Sequence, residues 1–127
     1  MAELKCKDQI KERWASRRAD FKQLFKKPEG NDELSPLSEY GLCIDFVPAR
    51  TFTGQLHGYY RYQLSWGGPS DEVRVWRTGN KPILIEYWFM DWGDGAKLNI
   101  TRDLIGQELG RYILENVNQG LREKFKE

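Results

Sequence analysis

The chain has 127 residues and a net charge of +1, and this length suffices for one domain with a hydrophobic core and no disulfides or metals. The near-zero charge argues against a strongly basic nucleic-acid binder and against an acidic DNA mimic. Aromatic residues are the compositional anomaly, since they make up 13% of the chain and include five tryptophans.

The cysteines and the N-terminal sequence bear on the compartment. Cys6 and Cys43 match no C-x-x-C spacing, so neither a disulfide framework nor a zinc site is expected. The sequence MAELKCKDQIKERW lacks the apolar region of a signal peptide, and no run approaches the ~18 apolar residues of a membrane span. We therefore expect a cytoplasmic protein without membrane association.

The N-terminal segment 1–27 is basic, with nine lysines and arginines against four acids, and a helix is predicted over residues 3–26. Its apolar positions follow i+4 and i+7 spacings, at Ile10, Trp14, Phe21 and Phe25. Arg17 and Arg18 stand where another apolar turn is expected, so we expect their stems to lie along apolar surface. An acidic loop rich in Pro, Gly and Ser is predicted over residues 28–41.

The middle of the chain, residues 42–100, alternates apolar and polar residues in the manner of half-buried strands. Turn sequences separate these runs: Gly-Gly-Pro-Ser at 67–70, Thr-Gly-Asn at 78–80 and Gly-Asp-Gly at 93–95. We predict an antiparallel sheet of about five strands in meander order. The fold class is α+β, with this sheet flanked by an N-terminal and a C-terminal helix.

The C-terminal segment 101–127 has the clearest helical pattern, with an apolar residue at every fourth position from Ile105 to Phe125. Thr101 is the predicted N-cap of this helix. Gly106 and Gly110 lie one turn apart, where each glycine costs about 1 kcal/mol relative to alanine. We therefore expect the helix to approach the sheet closely at these glycines.

The strand predicted over residues 82–92 is apolar on both faces. Ile85, Tyr87 and Phe89 alternate with Leu84, Trp88, Met90 and Trp92, and Glu86 is the interruption. If each helix covers one face of the sheet, both sets belong to the core, and the sequence favours this arrangement. If both helices cover one face, Trp76, Trp88 and Trp92 form an exposed surface of the kind that anchors protein interfaces.

Two aspartates end that strand in the sequence Asp-Trp-Gly-Asp-Gly, residues 91–95. An enzyme or metal site at Glu86, Asp91 and Asp94 would require carboxylates that converge within a few ångström. The spacing departs from a calcium loop, because glycine stands where the second ligand is required. We predict instead that both aspartates belong to a hairpin turn, since Asp-Gly is a preferred hairpin corner.

No catalytic constellation is recognisable in the sequence. The single histidine, His57, is predicted to lie in a loop, and no G-x-S-x-G motif or reactive-cysteine context accompanies it. The Gly-Gly-Pro-Ser turn lacks the lysine and the following helix of a phosphate-binding loop. We predict a non-enzymatic protein without a metal or a cofactor.

Nucleic-acid binding is the alternative hypothesis. The basic N-terminal helix offers four candidate phosphate contacts, Lys11, Arg17, Arg18 and Lys22. A sheet face opposite the core is expected to carry Tyr59, Arg61, Arg74 and Trp76, in the manner of a single-strand platform. Glu72 and Glu86 are expected on that same face, where they would repel phosphate.

Residues 60–97 contain YRYQLSWGGPSDEVRVW and IEYWFMDWGDGAK. These stretches resemble a pattern in a loosely defined group of small bacterial proteins encoded on phages, plasmids and integrated elements, which reads Y-x-L-x-W/Y-G-G-P-S-D-E-x-R and then I-E-Y-x-F/Y-x-D-W. Small proteins of mobile elements often bind and block a host machine. The resemblance therefore implies an inhibitor of a host defence system, of the anti-CRISPR or antirestriction type.

The favoured hypothesis is a binding protein of a mobile element that contacts a host protein or nucleoprotein complex. The tryptophan excess supports an aromatic, mixed-charge contact surface. The candidate partner-binding residues are Trp66, Trp76, Trp88, Trp92, Asp91 and Asp94.

Overall fold

The computed structural model describes residues 5–125, with side chains as far as Val117. Its helices are α1 (Cys6–Lys26), α2 (Leu37–Tyr40) and α3 (Leu104–Phe125). Its strands are β1 (Cys43–Val47), β2 (Tyr59–Ser65), β3 (Ser70–Thr78), β4 (Lys81–Asp91) and β5 (Asp94–Asn99). This description does not include residues 3–4 and 126–127 of the predicted helices. It also does not include the side chains of the predicted apolar positions Leu121 and Phe125.

The strands form a single antiparallel sheet in the order β1-β2-β3-β4-β5. This order confirms the predicted meander and the α+β fold. The predicted loop over residues 28–41 also contains α2, whose Leu37 side chain is buried against the core. One turn of helix thus anchors an otherwise irregular connection.

Both long helices pack on the same face of the sheet. The Trp14 ring of α1 lies 5.3 Å from the Tyr87 ring, and Gly110 of α3 lies against the Ile85 side chain. Ile85 and Tyr87 are two residues apart on β4, so their side chains share a face. The favoured prediction of one helix on each face is therefore wrong. The narrow apolar stripe of α1 packs mainly on the β4–β5 side of the sheet, and α3 packs on β4, β2 and part of β1 on the same face.

The middle of α1 is held by an ion pair rather than by apolar contacts. Arg17 donates from Nε and Nη2 to the two carboxylate oxygens of Asp71, at 2.7 and 2.9 Å. The Tyr87 hydroxyl donates to the same carboxylate at 2.7 Å, and the Ser65 hydroxyl also donates to it. Asp71 is buried, so these donors compensate its desolvation. Arg17 therefore interrupts the apolar stripe of α1 because it forms a polar link between α1 and β3.

The start of α3 differs from the prediction. Asp103, rather than Thr101, caps the helix, because its Oδ1 accepts hydrogen bonds from the N–H groups of Ile105 (2.8 Å) and Gly106 (3.1 Å). Arg18 of α1 also donates to both Asp103 oxygens. The Thr101 hydroxyl instead accepts a hydrogen bond from the Ile85 N–H at 3.0 Å, which ties the chain before α3 to β4.

The two glycines of α3 do mark close approaches, as predicted. A Cβ at Gly110 would lie 2.7 Å from the Ile85 Cδ1 atom, and a Cβ at Gly106 would collide with the backbone carbonyl of Ile100. The helix can therefore lie directly on the sheet only because these positions lack side chains.

Candidate functional site

The sheet face opposite the helices carries aromatic and charged side chains that neither long helix covers. Cross-strand pairing brings Arg61 opposite Arg74, Arg74 opposite Glu86, and Glu72 opposite Trp88. This face confirms the predicted placement of Tyr59, Arg61, Arg74 and Trp76 away from the core, together with the two glutamates. We call it the open face and define it by Tyr59, Arg61, Glu72, Arg74, Trp76, Glu86, Trp88, Met90 and Lys97.

A groove of about 580 Å³ lies on the open face, a volume typical of ligand-binding clefts. One side of the groove is formed by part of the loop between β1 and β2, at Phe52, Thr53, Gly54 and Gln55. Trp66 lies at its margin in the turn between β2 and β3. The groove thus combines aromatic walls with charged groups, as binding surfaces for protein segments commonly do.

Arg74 is the centre of the open face. Its guanidinium carbon lies 3.7 Å from the centre of the Trp88 ring and 4.8 Å from that of Tyr59, while its Nε donates to Glu72 at 2.8 Å. The stacking and the ion pair fix the guanidinium in one place. The Trp88 indole is fixed as well, because its Nε1 donates to Glu86 at 3.1 Å.

The charges on and beside the open face neutralise one another in pairs. Besides the pair formed by Arg74, Arg61 donates to both oxygens of Asp45, at 3.0 and 2.6 Å, and the Lys97 ammonium lies 3.6 Å from Glu86. Each cation on this face therefore has an acidic partner within the sheet. The face is polar in composition but carries little net charge.

Tyr59 lies at the base of the groove, with its ring 5.1 Å from the Trp76 ring. Burial raises the pKa of its phenol, so the hydroxyl is protonated at neutral pH. That hydroxyl is buried and has no hydrogen-bond partner among the residues that the structure describes.

Two tryptophans project from one end of the sheet. β2 and β4 run in the same direction, because each is antiparallel to β3 between them, so the turns that follow them share an end. Trp66 lies in the first turn and is 74% exposed, and Trp92 lies in the second and is 91% exposed. Of the four candidate tryptophans, these two are exposed, while Trp76 and Trp88 are half-buried in the open face.

Asp91 and Asp94 both belong to the β4–β5 hairpin turn, as predicted, but they flank its corner, which is Trp92-Gly93 and not an Asp-Gly pair. Asp91 pairs with Asp94, and the two residues between them have φ values of +48° and +76°, as a type I′ turn requires. Asp94 also accepts a hydrogen bond from the Cys6 N–H, at 2.8 Å, at the start of α1. This hydrogen bond holds the pKa of Asp94 below its usual value.

The carboxylates of the alternative enzyme or metal hypothesis do not converge. Glu86 lies on the open face, whereas Asp94 contacts the N-terminus of α1. Among the described side chains, which run from residue 5 to residue 117, no group of three His, Cys, Asp or Glu residues is placed to hold a metal ion. His57 lies in the exposed loop between β1 and β2, where a loop was predicted.

The candidate phosphate contacts of α1 fall into two groups. Arg17 and Arg18 are bound to Asp71 and Asp103, so their charges are already compensated within the fold. Lys11 and Lys22 are exposed. The basic helix therefore presents fewer available cations than its sequence suggests.

Two contributors to the groove were not predicted from the sequence. The loop between β1 and β2 supplies Phe52. The sequence signal that could have indicated this contribution is a large apolar residue within a glycine-containing loop. Arg74 was assigned to the correct face, but its stacking on Trp88 depends on cross-strand register, which sequence spacing does not specify.

Comparison with protein-family models, with curated proteins and with solved structures finds no match to this chain. None of the helices described between residues 5 and 125 is both long and apolar enough to cross a membrane.

Proposed function

We propose that this protein is a non-enzymatic binding protein whose open face and two exposed tryptophans contact a protein partner. The observation that carries the proposal is an aromatic sheet face left uncovered by both helices, with Trp66 at the margin of its groove. Tryptophan, tyrosine and arginine are the residues most enriched at the energetic centres of protein interfaces.

The paired charges of the open face favour a protein partner over nucleic acid. Phosphate binding requires cations that are free to replace counterions. Arg61, Arg74 and Lys97 each have a carboxylate partner in the sheet, so nucleic acid would have to break these pairs. We therefore expect partner binding that depends weakly on salt.

The backbone at Trp92 supports a binding role for its side chain. A non-glycine residue in the left-handed region costs on the order of 1 kcal/mol, and asparagine is the residue that type I′ turns prefer there. At 91% exposure, the indole gains almost no packing in return. Strained residues of this kind persist where function requires the side chain.

The resemblance of residues 60–97 to mobile-element proteins supports a more specific proposal. The partner is then a component of a bacterial defence system, such as a CRISPR effector or a restriction enzyme. Expression of the protein should raise the plating efficiency of a phage that the defence system restricts. The Trp92→Asn variant should lose this effect, and equal plating with and without the wild-type protein would contradict the defence assignment.

Affinity capture with matched variants tests the binding proposal. The control is Leu104→Gln, because Leu104 is also highly exposed but lies at the start of α3 on the helix side of the molecule. One bacterial protein should bind the wild type and Leu104→Gln at low and high salt, and should be lost with Trp92→Asn. Equal retention by Trp92→Asn, or retention of nucleic acid alone, would contradict the proposal.

A further inference from the structure

The two edges of the sheet differ in their protection. α1 packs along β5, and β5 carries Lys97, a residue type that blocks strand pairing at edges. β1, Cys43–Val47, contains no lysine or proline, and Arg61 binds its one charged residue, Asp45. The outer side of β1 is therefore open to another strand.

The helix side of β1 is also incompletely covered. Leu42 is 59% exposed and Phe46 is 51% exposed, and Ile44 between them is half-buried. These residues line a second groove, of about 560 Å³, whose opposite wall includes Tyr112 and Val117 of α3. Monomers rarely leave a strand edge and an adjoining apolar groove exposed together.

We infer that β1 pairs antiparallel with β1 of a second copy of this chain, with Ile44 opposite Ile44 of the second copy. A two-fold axis perpendicular to the sheet keeps each residue on its own face in both copies. This register also places Leu42 opposite Phe46 of the second copy. Three apolar contacts then form on the helix side, beside the groove.

The occupant is a second copy because the strand complements itself in this register. Cys43 lies opposite Asp45 of the second copy, so no two like charges meet. Two neighbouring registers preserve the faces. One places Asp45 opposite Asp45 of the second copy, and directly opposed like charges destabilise a sheet. The other places Cys43 opposite Cys43 and Phe46 opposite Tyr40, which lies in α2 outside the strand, so Phe46 loses its apolar partner. The dimer leaves the open face and Trp92 free, so it is independent of the proposed partner binding.

Sedimentation velocity tests the dimer. At about 100 µM, where an assembly with a micromolar Kd is almost fully formed, the wild type should sediment as a dimer. Phe46→Lys should sediment as a folded monomer, because about half of the side chain is exposed and the lysine stem can still lie along the Tyr60 ring that Phe46 contacts. The control Leu104→Gln should remain a dimer. A wild type that is monomeric at this concentration would overturn the inference.

Disulfide trapping tests the register in a Cys43→Ser background. Ile44→Cys should form a disulfide-linked dimer under mild oxidation, because directly opposed residues lie within the Cα separation of about 4.4–6.8 Å that a disulfide requires. Leu42→Cys alone should not, but a mixture of Leu42→Cys and Phe46→Cys should. Cross-linking by Asp45→Cys and not by Ile44→Cys would overturn the proposed register. A chain that stays monomeric while a strand of a different protein pairs with β1 would overturn the dimer.

Discussion

The Arg74 guanidinium lies 3.7 Å from the centre of the Trp88 ring, and this stack holds together the face of the sheet that the helices leave uncovered. The same guanidinium is bound to the buried Glu72 carboxylate. The aromatic groove is therefore preorganised by an internal ion pair. Preorganisation lowers the entropic cost of binding a partner.

Removing one partner of the Arg74–Glu72 ion pair should destabilise the fold more than removing both charges. Arg74→Met leaves the buried Glu72 without its cation and should lower the free energy of unfolding by about 3 kcal/mol. The double variant Arg74→Met/Glu72→Gln should recover most of this loss, because it removes both charges. Urea unfolding measures the three values, and a double variant no more stable than Arg74→Met would contradict this account of the pair.

Trp92→Asn should stabilise the fold and weaken binding. Asparagine tolerates the left-handed conformation at this corner, so we expect the free energy of unfolding to rise by about 0.5–1 kcal/mol. Gly93→Ala is the matched change at the next position, where φ is +76° and a Cβ meets no neighbour, so its destabilisation reports backbone strain alone. Urea midpoints measure both, and a less stable Trp92→Asn variant would show that the indole serves the fold.

The Asp103 carboxylate should make stability depend on pH. Burial alone would raise its pKa, but hydrogen bonds from Arg18 and from the helix N–H groups of Gly106 and Ile105 lower it below the usual value. A carboxylate with a lowered pKa stabilises the fold above its unfolded pKa of about 3.9, and this contribution is lost as pH falls through the folded pKa.

Asp103→Asn retains the cap and removes the charge. We expect this variant to be about 1 kcal/mol less stable than the wild type at pH 7, and the difference should shrink below about pH 4. Thermal unfolding between pH 7 and pH 2 measures it. A difference that stays constant over that range would assign the effect to hydrogen-bond geometry instead of charge.

The two glycines of α3 should respond unequally to alanine, although each substitution would gain about 1 kcal/mol in an isolated helix. Gly106→Ala meets the backbone carbonyl of Ile100, which cannot move without the end of the sheet, and should cost about 2 kcal/mol. Gly110→Ala meets the end of the Ile85 side chain and should cost less. Adding Ile85→Val to Gly110→Ala should relieve the clash, because valine lacks the Cδ1 atom. Chemical unfolding of Gly106→Ala, Gly110→Ala, Ile85→Val and the double variant Gly110→Ala/Ile85→Val tests whether Gly106→Ala is the more destabilising of the two alanine substitutions and whether Ile85→Val reduces the cost of Gly110→Ala.

The sequence predicts the elements of this fold well because their signals are local. The alternation in β2 and β4 and the four-residue repeat of α3 each lie within one segment. The two glycines of α3 predict a close approach of the helix to neighbouring backbone and side chains, because a Cβ at either position would collide with them. The predicted cap at Thr101 fails because Asp103 is also a capping residue and additionally pairs with Arg18, a partner distant in sequence.

The candidate site depends on relationships that sequence does not encode locally. Sequence spacing does not show that α1 and α3 share one face, because contacts such as that of Arg17 with Asp71 on β3 join residues 54 positions apart. Asp94 flanks the hairpin corner and also accepts the N–H of Cys6 on α1, a contact that joins residues 88 positions apart. Apolar strand faces alone could not distinguish a core face from an interface, because both are rich in tryptophan and tyrosine.

Site-specific photo-crosslinking tests the central claim most directly. A benzophenone side chain is introduced separately at positions 66, 92 and 104 and is irradiated in a bacterial lysate. The open-face account predicts that one protein is cross-linked from positions 66 and 92, at low and high salt, and not from position 104. Cross-linking from position 104 alone, or only to nucleic acid, would contradict it.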